Sequence, residues 1–148
     1  MAACINATNM FGRAEQRTYS SSMFRNAIRH MKQAIRDGGY LLIAEPYYHT
    51  ADVPQALIDY EGPLRTEADL IRTIWEEGLE LVQMAHSDRS DWDRYVSSDM
   101  YHAIRWLKEN PGHPDRQRRL ESHRRWQDMY VGYRLKLQGC VALLMTTV

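Results

Sequence analysis

The chain alternates between stretches where apolar residues recur every third or fourth position and short runs that are apolar throughout. Residues 1–5 (Met-Ala-Ala-Cys-Ile) form one such run and read as a buried strand. Residues 6–17 are polar around Gly12 and read as a loop. Ser20, Ser21 and Ser22 offer N-caps. Met23, Ala27, Ile28, Met31, Ala34 and Ile35 then share one face of a helix over 23–35. Asp37, Gly38 and Gly39 stop it, because glycine accepts the left-handed backbone just past a helix end. Tyr40-Leu-Leu-Ile-Ala44 follows as a strand that is apolar on both faces, and Glu45-Pro46 is expected to end it.

Strand, helix, Gly-Gly and buried strand make a βαβ unit. Residues 47–65, with Pro54 and Pro63, read as a loop with one short helical turn. Thr66 starts a second helix, with Leu70, Ile71, Ile74 and Trp75 on one face and Gly78 as its end. Residues 79–84 alternate partly and read as a strand, so helix, glycine, strand occurs a second time. The rhythm then breaks. Residues 90–110 and 115–134 are helical by pattern and are split by the turn Pro111-Gly-His-Pro114, which predicts a helical hairpin between strands. Residues 139–145 close the pattern as a last strand. Recurring helix and buried strand place the chain in the α/β class.

Composition narrows the function classes. The 148 residues fit one domain, and 44% hydrophobic with 26% charged residues is ordinary for a globular protein. Lys plus Arg and Asp plus Glu both number 19, so no global charge draws the chain to nucleic acid or to an anionic membrane. Neither a secretory signal nor an apolar run of membrane-spanning length is visible, so a soluble, cytoplasmic protein is expected. Cys4 and Cys140 sit in apolar runs and read as buried reduced thiols.

The six histidines lack metal-ligand spacing, there is no Cys-x-x-Cys, and no metal is expected. Gly38-Gly39 follows a helix and precedes a strand, the reverse of a phosphate loop, and so caps rather than binds. Arg116, Arg118, Arg119, Arg124 and Arg125 gather on one helix. They read first as a solvated face and second as a contact for an acidic substrate or partner. Trp92, Tyr95, Tyr101, Trp106, Trp126, Tyr130 and Tyr133 are core of the hairpin, or in part the wall of a pocket. Pockets of α/β sheets lie beyond the C-terminal ends of parallel strands, which singles out Glu45 as the best-placed carboxylate. The competing reading makes Glu45 a helix-capping loop acid or the partner of an arginine.

Several segments resemble class I S-adenosylmethionine-dependent methyltransferases. Asp37-Gly-Gly-Tyr-Leu-Leu-Ile-Ala-Glu-Pro-Tyr47 resembles the end of a helix and the fifth strand of that family. Ala3-Cys-Ile-Asn-Ala7 is similar to the end of its fourth strand and the loop beside the cofactor, and Glu76-Glu-Gly-Leu-Glu-Leu-Val82 to the helix and sixth strand that follow. Asp91-Trp-Asp-Arg-Tyr95 and Trp106-Leu-Lys-Glu-Asn-Pro111 resemble a helical insertion found in a bacterial small-molecule methyltransferase-like subfamily. The resemblance implies an α/β fold: a partial Rossmann-like methyltransferase sheet of about four strands, the last antiparallel, with an inserted helical hairpin. Residues 1–148 would be one methyltransferase-like domain truncated at the N-terminus, with 88–135 as the insertion.

The family's glycine-rich loop and ribose-binding acid would lie before Met1, and Asn6 stands where a glycine is usual. The implied activity is methyl transfer from S-adenosylmethionine to a small molecule. The resemblance makes Glu45 the residue that orients or deprotonates the acceptor. Asn6 and Ala7 would touch the methionine end, and Tyr47, Trp92 and Tyr95 would wall the substrate pocket. Trp92, Tyr95 and Trp106 are expected to bury against the rim of the sheet. The chain alone is expected to hold the cofactor weakly or not at all, and to form a homodimer or take a partner that supplies the missing strands. A non-enzymatic binding or assembly module is the alternative.

Overall fold

In the computed structural model, residues 1–5, 7–11 and 22–148 are described. They fall into two units, Met1–His86 with Leu137–Val148, and Ser87–Lys136. The first unit holds a four-stranded sheet of β1 (Ala2–Ile5), β2 (Tyr40–Tyr48), β3 (Glu80–His86) and β4 (Gln138–Thr146). Their spatial order is β1-β2-β4-β3, with β1 parallel to β2 and β4 antiparallel to both its neighbours. The helices of this unit are α1 (Met23–Lys32), α2 (Gln55–Glu61) and α3 (Glu67–Glu76), and a short 3-10 turn covers Thr8–Phe11 where the sequence pattern reads as loop.

β2 does not stop at Glu45-Pro46. It runs on to Tyr48, because β4 accompanies it along its whole length, from Tyr40 opposite Thr146 to Tyr48 opposite Gln138. β1 ends where Ile5 meets Ala44, so among the described residues Glu45, Pro46 and Tyr47 pair only with β4, and Tyr48 adds an isolated parallel bridge to Thr66. Proline is tolerated on such a half-paired stretch, since no ladder bond is asked of it on the open side.

α1 is shorter than its periodicity suggests. After Lys32 the chain tightens into three-residue turns, with Ala34 N donating to Met31 O at 3.0 Å. Ile35 therefore still packs on the core without being helical. Gly38 takes φ +67°, the left-handed turn into β2 that glycine adopts without strain. α3 opens on a capping box in which Thr66 and Asp69 satisfy each other's backbone N–H groups. Leu70 and Ile74 are buried, whereas Trp75, expected on the same face, is exposed.

The core lies between the sheet and the pair α1 and α3. Phe24, Ala27, Ile28 and Met31 meet Leu41, Ile43, Val141, Leu143 and Met145, with Leu70 and Ile74 beside them. Emptying one of the fully buried Leu or Ile positions costs about 2–5 kcal/mol, so this layer supplies much of the unit's stability. Leu42, Ala142 and Leu144, on the opposite face, are only half-buried. Ion pairs join α1 to the end of α3: Arg25 to Glu76 and Glu77, and Arg29 to Glu77 at 2.8 Å. The Arg29 hydrogen bond is the main reason Glu77 is held below the usual carboxylate range.

The second unit is a helical hairpin of α4 (Arg89–Glu109) and α5 (Arg116–Met129), and α5 continues into a π-helical turn over Tyr130–Arg134. Asp88 and Asp91 form the capping box of α4. Tyr130 stacks on Trp126 at 5.8 Å and donates its hydroxyl to Asp93 at 3.1 Å. Among the described residues, no helix is long and apolar enough to cross a membrane.

Candidate functional site

Glu45 is the residue after the last β1–β2 pair, Ile5 with Ala44. Its odd position puts it on the α1 side of the sheet, level with Val141. There it is 3% exposed. β1 leads at this level into Ala7, which packs on the core, and then into the 3-10 turn whose first residue, Thr8, is wholly buried. Thr8, Phe24, Glu45, Arg65 and Leu70 help to line a cavity of about 20 Å³. That is room for a single water.

Neither Glu45 Oε1 nor Thr8 Oγ1 finds a hydrogen-bond partner of normal geometry. Burial raises the Glu45 carboxyl to about 7, and the neighbouring Thr8 hydroxyl pulls only partly the other way. Glu45 therefore divides between its charged and neutral forms near neutral pH. Among the described residues it caps no helix and makes no ion pair. Its place within β2, rather than in a loop after the strand, is what buries it.

Tyr47 follows on the same face. Its ring lies over Gly139, directly opposite on β4, where a Cβ would stand 2.7 Å from Tyr47 Cε1. Edge contacts join it to His49 at 5.1 Å and His86 at 6.1 Å between ring centroids. The Glu67 carboxylate lies 2.9 Å from His86 Nε2. Burial, and then the Glu67 and Cys140 charges, push the Tyr47 phenol upward, so it keeps its proton at neutral pH.

Trp92 and Tyr95 stand on the first turns of α4, in the second unit, and meet edge to face at 6.3 Å. Trp92 is half-buried, and its Nε1 has no hydrogen-bond partner among the described residues; Tyr95, expected to bury, is exposed. Thus Ala7, Glu45 and Tyr47 belong to one unit and Trp92 and Tyr95 to the other. Asn6 lies outside the described residues. Sequence reasoning missed Thr8, His86 and Glu67. Glu67 carried only the signature of a first-turn helix acid, and nothing in the spacing joined it to His86 nineteen residues on. Among the described residues, no three His, Cys, Asp or Glu side chains gather as a metal site.

No protein-family model matches the sequence. YjhP of Escherichia coli strain K12, described as an uncharacterized protein, is 29% identical over 116 residues, 75% of this chain and 43% of its own. The X-ray structure of YjhP superposes with a TM-score of 0.83 at 22% identity, covering 99% of this chain and 58% of that one. A methyltransferase from Geobacter sulfurreducens, solved with S-adenosyl-L-homocysteine, gives 0.82 at 20% identity over 99% of this chain and 57% of its own. The fold is that of the class I S-adenosylmethionine-dependent methyltransferases. A similar enzyme from Thiobacillus denitrificans, also solved with S-adenosyl-L-homocysteine, gives 0.82 at 18% identity, over 99% of this chain and 57% of that one.

The expected methyltransferase sheet of four strands, with an antiparallel last strand, is present. The chain spans less than half the length of YjhP in sequence and somewhat over half of the solved structures it matches. Among the described residues, no glycine-rich turn leads from a strand into a helix N-terminus, and the cavity at Glu45 is far below the ~300 Å³ of a ligand pocket.

Proposed function

We propose that this chain is the acceptor-side part of a methyltransferase that passes a methyl group from S-adenosylmethionine to a small molecule. In this reading, polypeptide outside these 148 residues, or a partner subunit, holds the cofactor. One observation carries the reading: just past the end of β1, where a sheet of this fold presents its crevice, the buried Thr8 shares a small cavity with the buried Glu45 carboxyl, which burial raises to about 7. Ala7, with Asn6, would border the methionine end. Glu45, in a cavity the size of one water, acts as a positioning group that fixes the Thr8 turn against which the acceptor is aligned. Alignment of the attacking atom supplies most of the rate in such a transfer. Tyr47 forms the wall on the β4 side and offers a hydroxyl that stays protonated. A cytoplasmic location belongs to the same proposal.

Calorimetry with S-adenosylmethionine tests it. The isolated chain is expected to give no saturable heat at tens of micromolar, and a Kd in the range ~1–10 µM would overturn the division of labour. Adding a polypeptide that carries the glycine-loop half should restore binding and methyl transfer to a small-molecule panel. If binding fails to return, the alternative of a non-enzymatic assembly module gains, which the open outer side of β1 favours: among the described residues no strand lies beyond it, and Ile5 is 63% exposed.

A further inference from the structure

A cleft in the second unit lies between α4 and α5, apart from Glu45. Its volume is about 530 Å³, within the ~300–1,000 Å³ typical of small-molecule sites. Trp106 and Trp126 supply apolar walls, and Arg118, Arg119, His102 and His123 supply polar ones. Asp99 is the one acid among the lining residues. Arg118 is already committed to Asp115 at 3.3 Å. Arg119 makes no ion pair among the described residues; its guanidinium carbon sits 4.0 Å above the Trp106 ring, which holds it in place at the cleft. The sequence pattern placed these arginines first on a solvated face; Arg118 and Arg119 are exposed and also border this cleft.

His123 gives the second observation. It is 8% exposed, and its Nε2 is buried without a hydrogen-bond partner. A buried ring nitrogen left unsatisfied costs stability, so such a group inside a cleft marks a place where a ligand atom completes the bonding. Arg119 and His123 lie four residues apart on α5, one helical turn, so they present to the same side of the helix. A carboxylate has two acceptor oxygens that match such a pair of donors. Asp99 opposes a polyanion, and the two indole rings favour a flat apolar body.

We propose that the α4–α5 cleft binds a small aromatic monocarboxylate, its carboxylate held by Arg119 and His123 and its ring against Trp106 and Trp126. The probe is 2-naphthoate, with 2-naphthamide as its neutral counterpart, titrated into the full 148-residue chain by calorimetry and saturation-transfer NMR. Saturable binding of the carboxylate is expected, with clearly weaker binding of the amide. Arg119→Gln, at an exposed position, should keep the fold by circular dichroism and weaken binding about tenfold or more, as loss of a charged hydrogen bond does. His123→Gln should weaken it similarly; if that variant unfolds, Arg119→Gln alone decides. No saturable binding by the folded chain overturns the proposal. So does an amide that binds as tightly as the carboxylate, or an affinity that Arg119→Gln leaves unchanged.

Discussion

A carboxyl that divides between its charged and neutral forms near pH 7 carries a measurable consequence for Glu45. Its value in the fold, about 7, lies above the ordinary 4.5, and burial is the chief cause. Protonation therefore favours the folded state. The stabilisation is complete below the ordinary value and is lost as pH rises through 7, a total swing of about 3 kcal/mol. Glu45→Gln should remove most of that slope, leaving stability at about pH 5 little changed and raising it at about pH 8, as read from urea unfolding. A slope that survives the substitution would assign it to another group. At Gly139 the limit is space: a methyl group would meet Tyr47 Cζ at 2.8 Å and His49 Cε1 at 2.9 Å. Gly139→Ala should cost about 1–3 kcal/mol by crowding a buried ring, with thermal unfolding as the check. Glu45 could be picked from the sequence because a lone acid closes an apolar run. Its burial could not, since that depends on β4 continuing alongside it nearly a hundred residues later in the chain.

The helices divide by how their first turns are closed. α3 and α4 each open on a reciprocal capping box, Thr66 with Asp69 and Asp88 with Asp91. Thr66→Ala and Asp88→Ala should each cost about 0.5–2 kcal/mol, measured by chemical unfolding. A negligible loss at Thr66 would mean that its tie to the Asp69 carboxylate, at 2.7 Å, contributes little in solution. Thr66 was legible as a start signal, because a capping residue followed by acids needs only local chemistry. The same holds for α4, α5 and β4, whose predicted limits fall within a few residues of those observed. The end of β2 and the exposure of Trp75 were not legible: each is decided by which neighbour covers it, and local pattern is silent on neighbours.

For the molecule as a whole, the two sheet edges differ. β3 carries a register shift between Leu81 and Gln83, an irregularity that discourages a further strand. β1 is regular, free of proline and lysine, and shows Ile5 to solvent. We propose that β1 is where a second copy, or a partner bearing further strands, joins the sheet. Light scattering should then give at least twice 17.4 kDa at micromolar concentration, and a 17.4 kDa particle with fast-exchanging β1 amides would refute it. β4 has a different importance. It follows β2 and β3 in sequence, yet it lies between them and joins them. During synthesis, the ribosome must release β4 before the two strands made much earlier can be united. Until then Leu41 and Ile43 belong to a half-built sheet. A stalled or clipped product lacking residues 138–146 would thus lose the join between two strands as well as the strand itself.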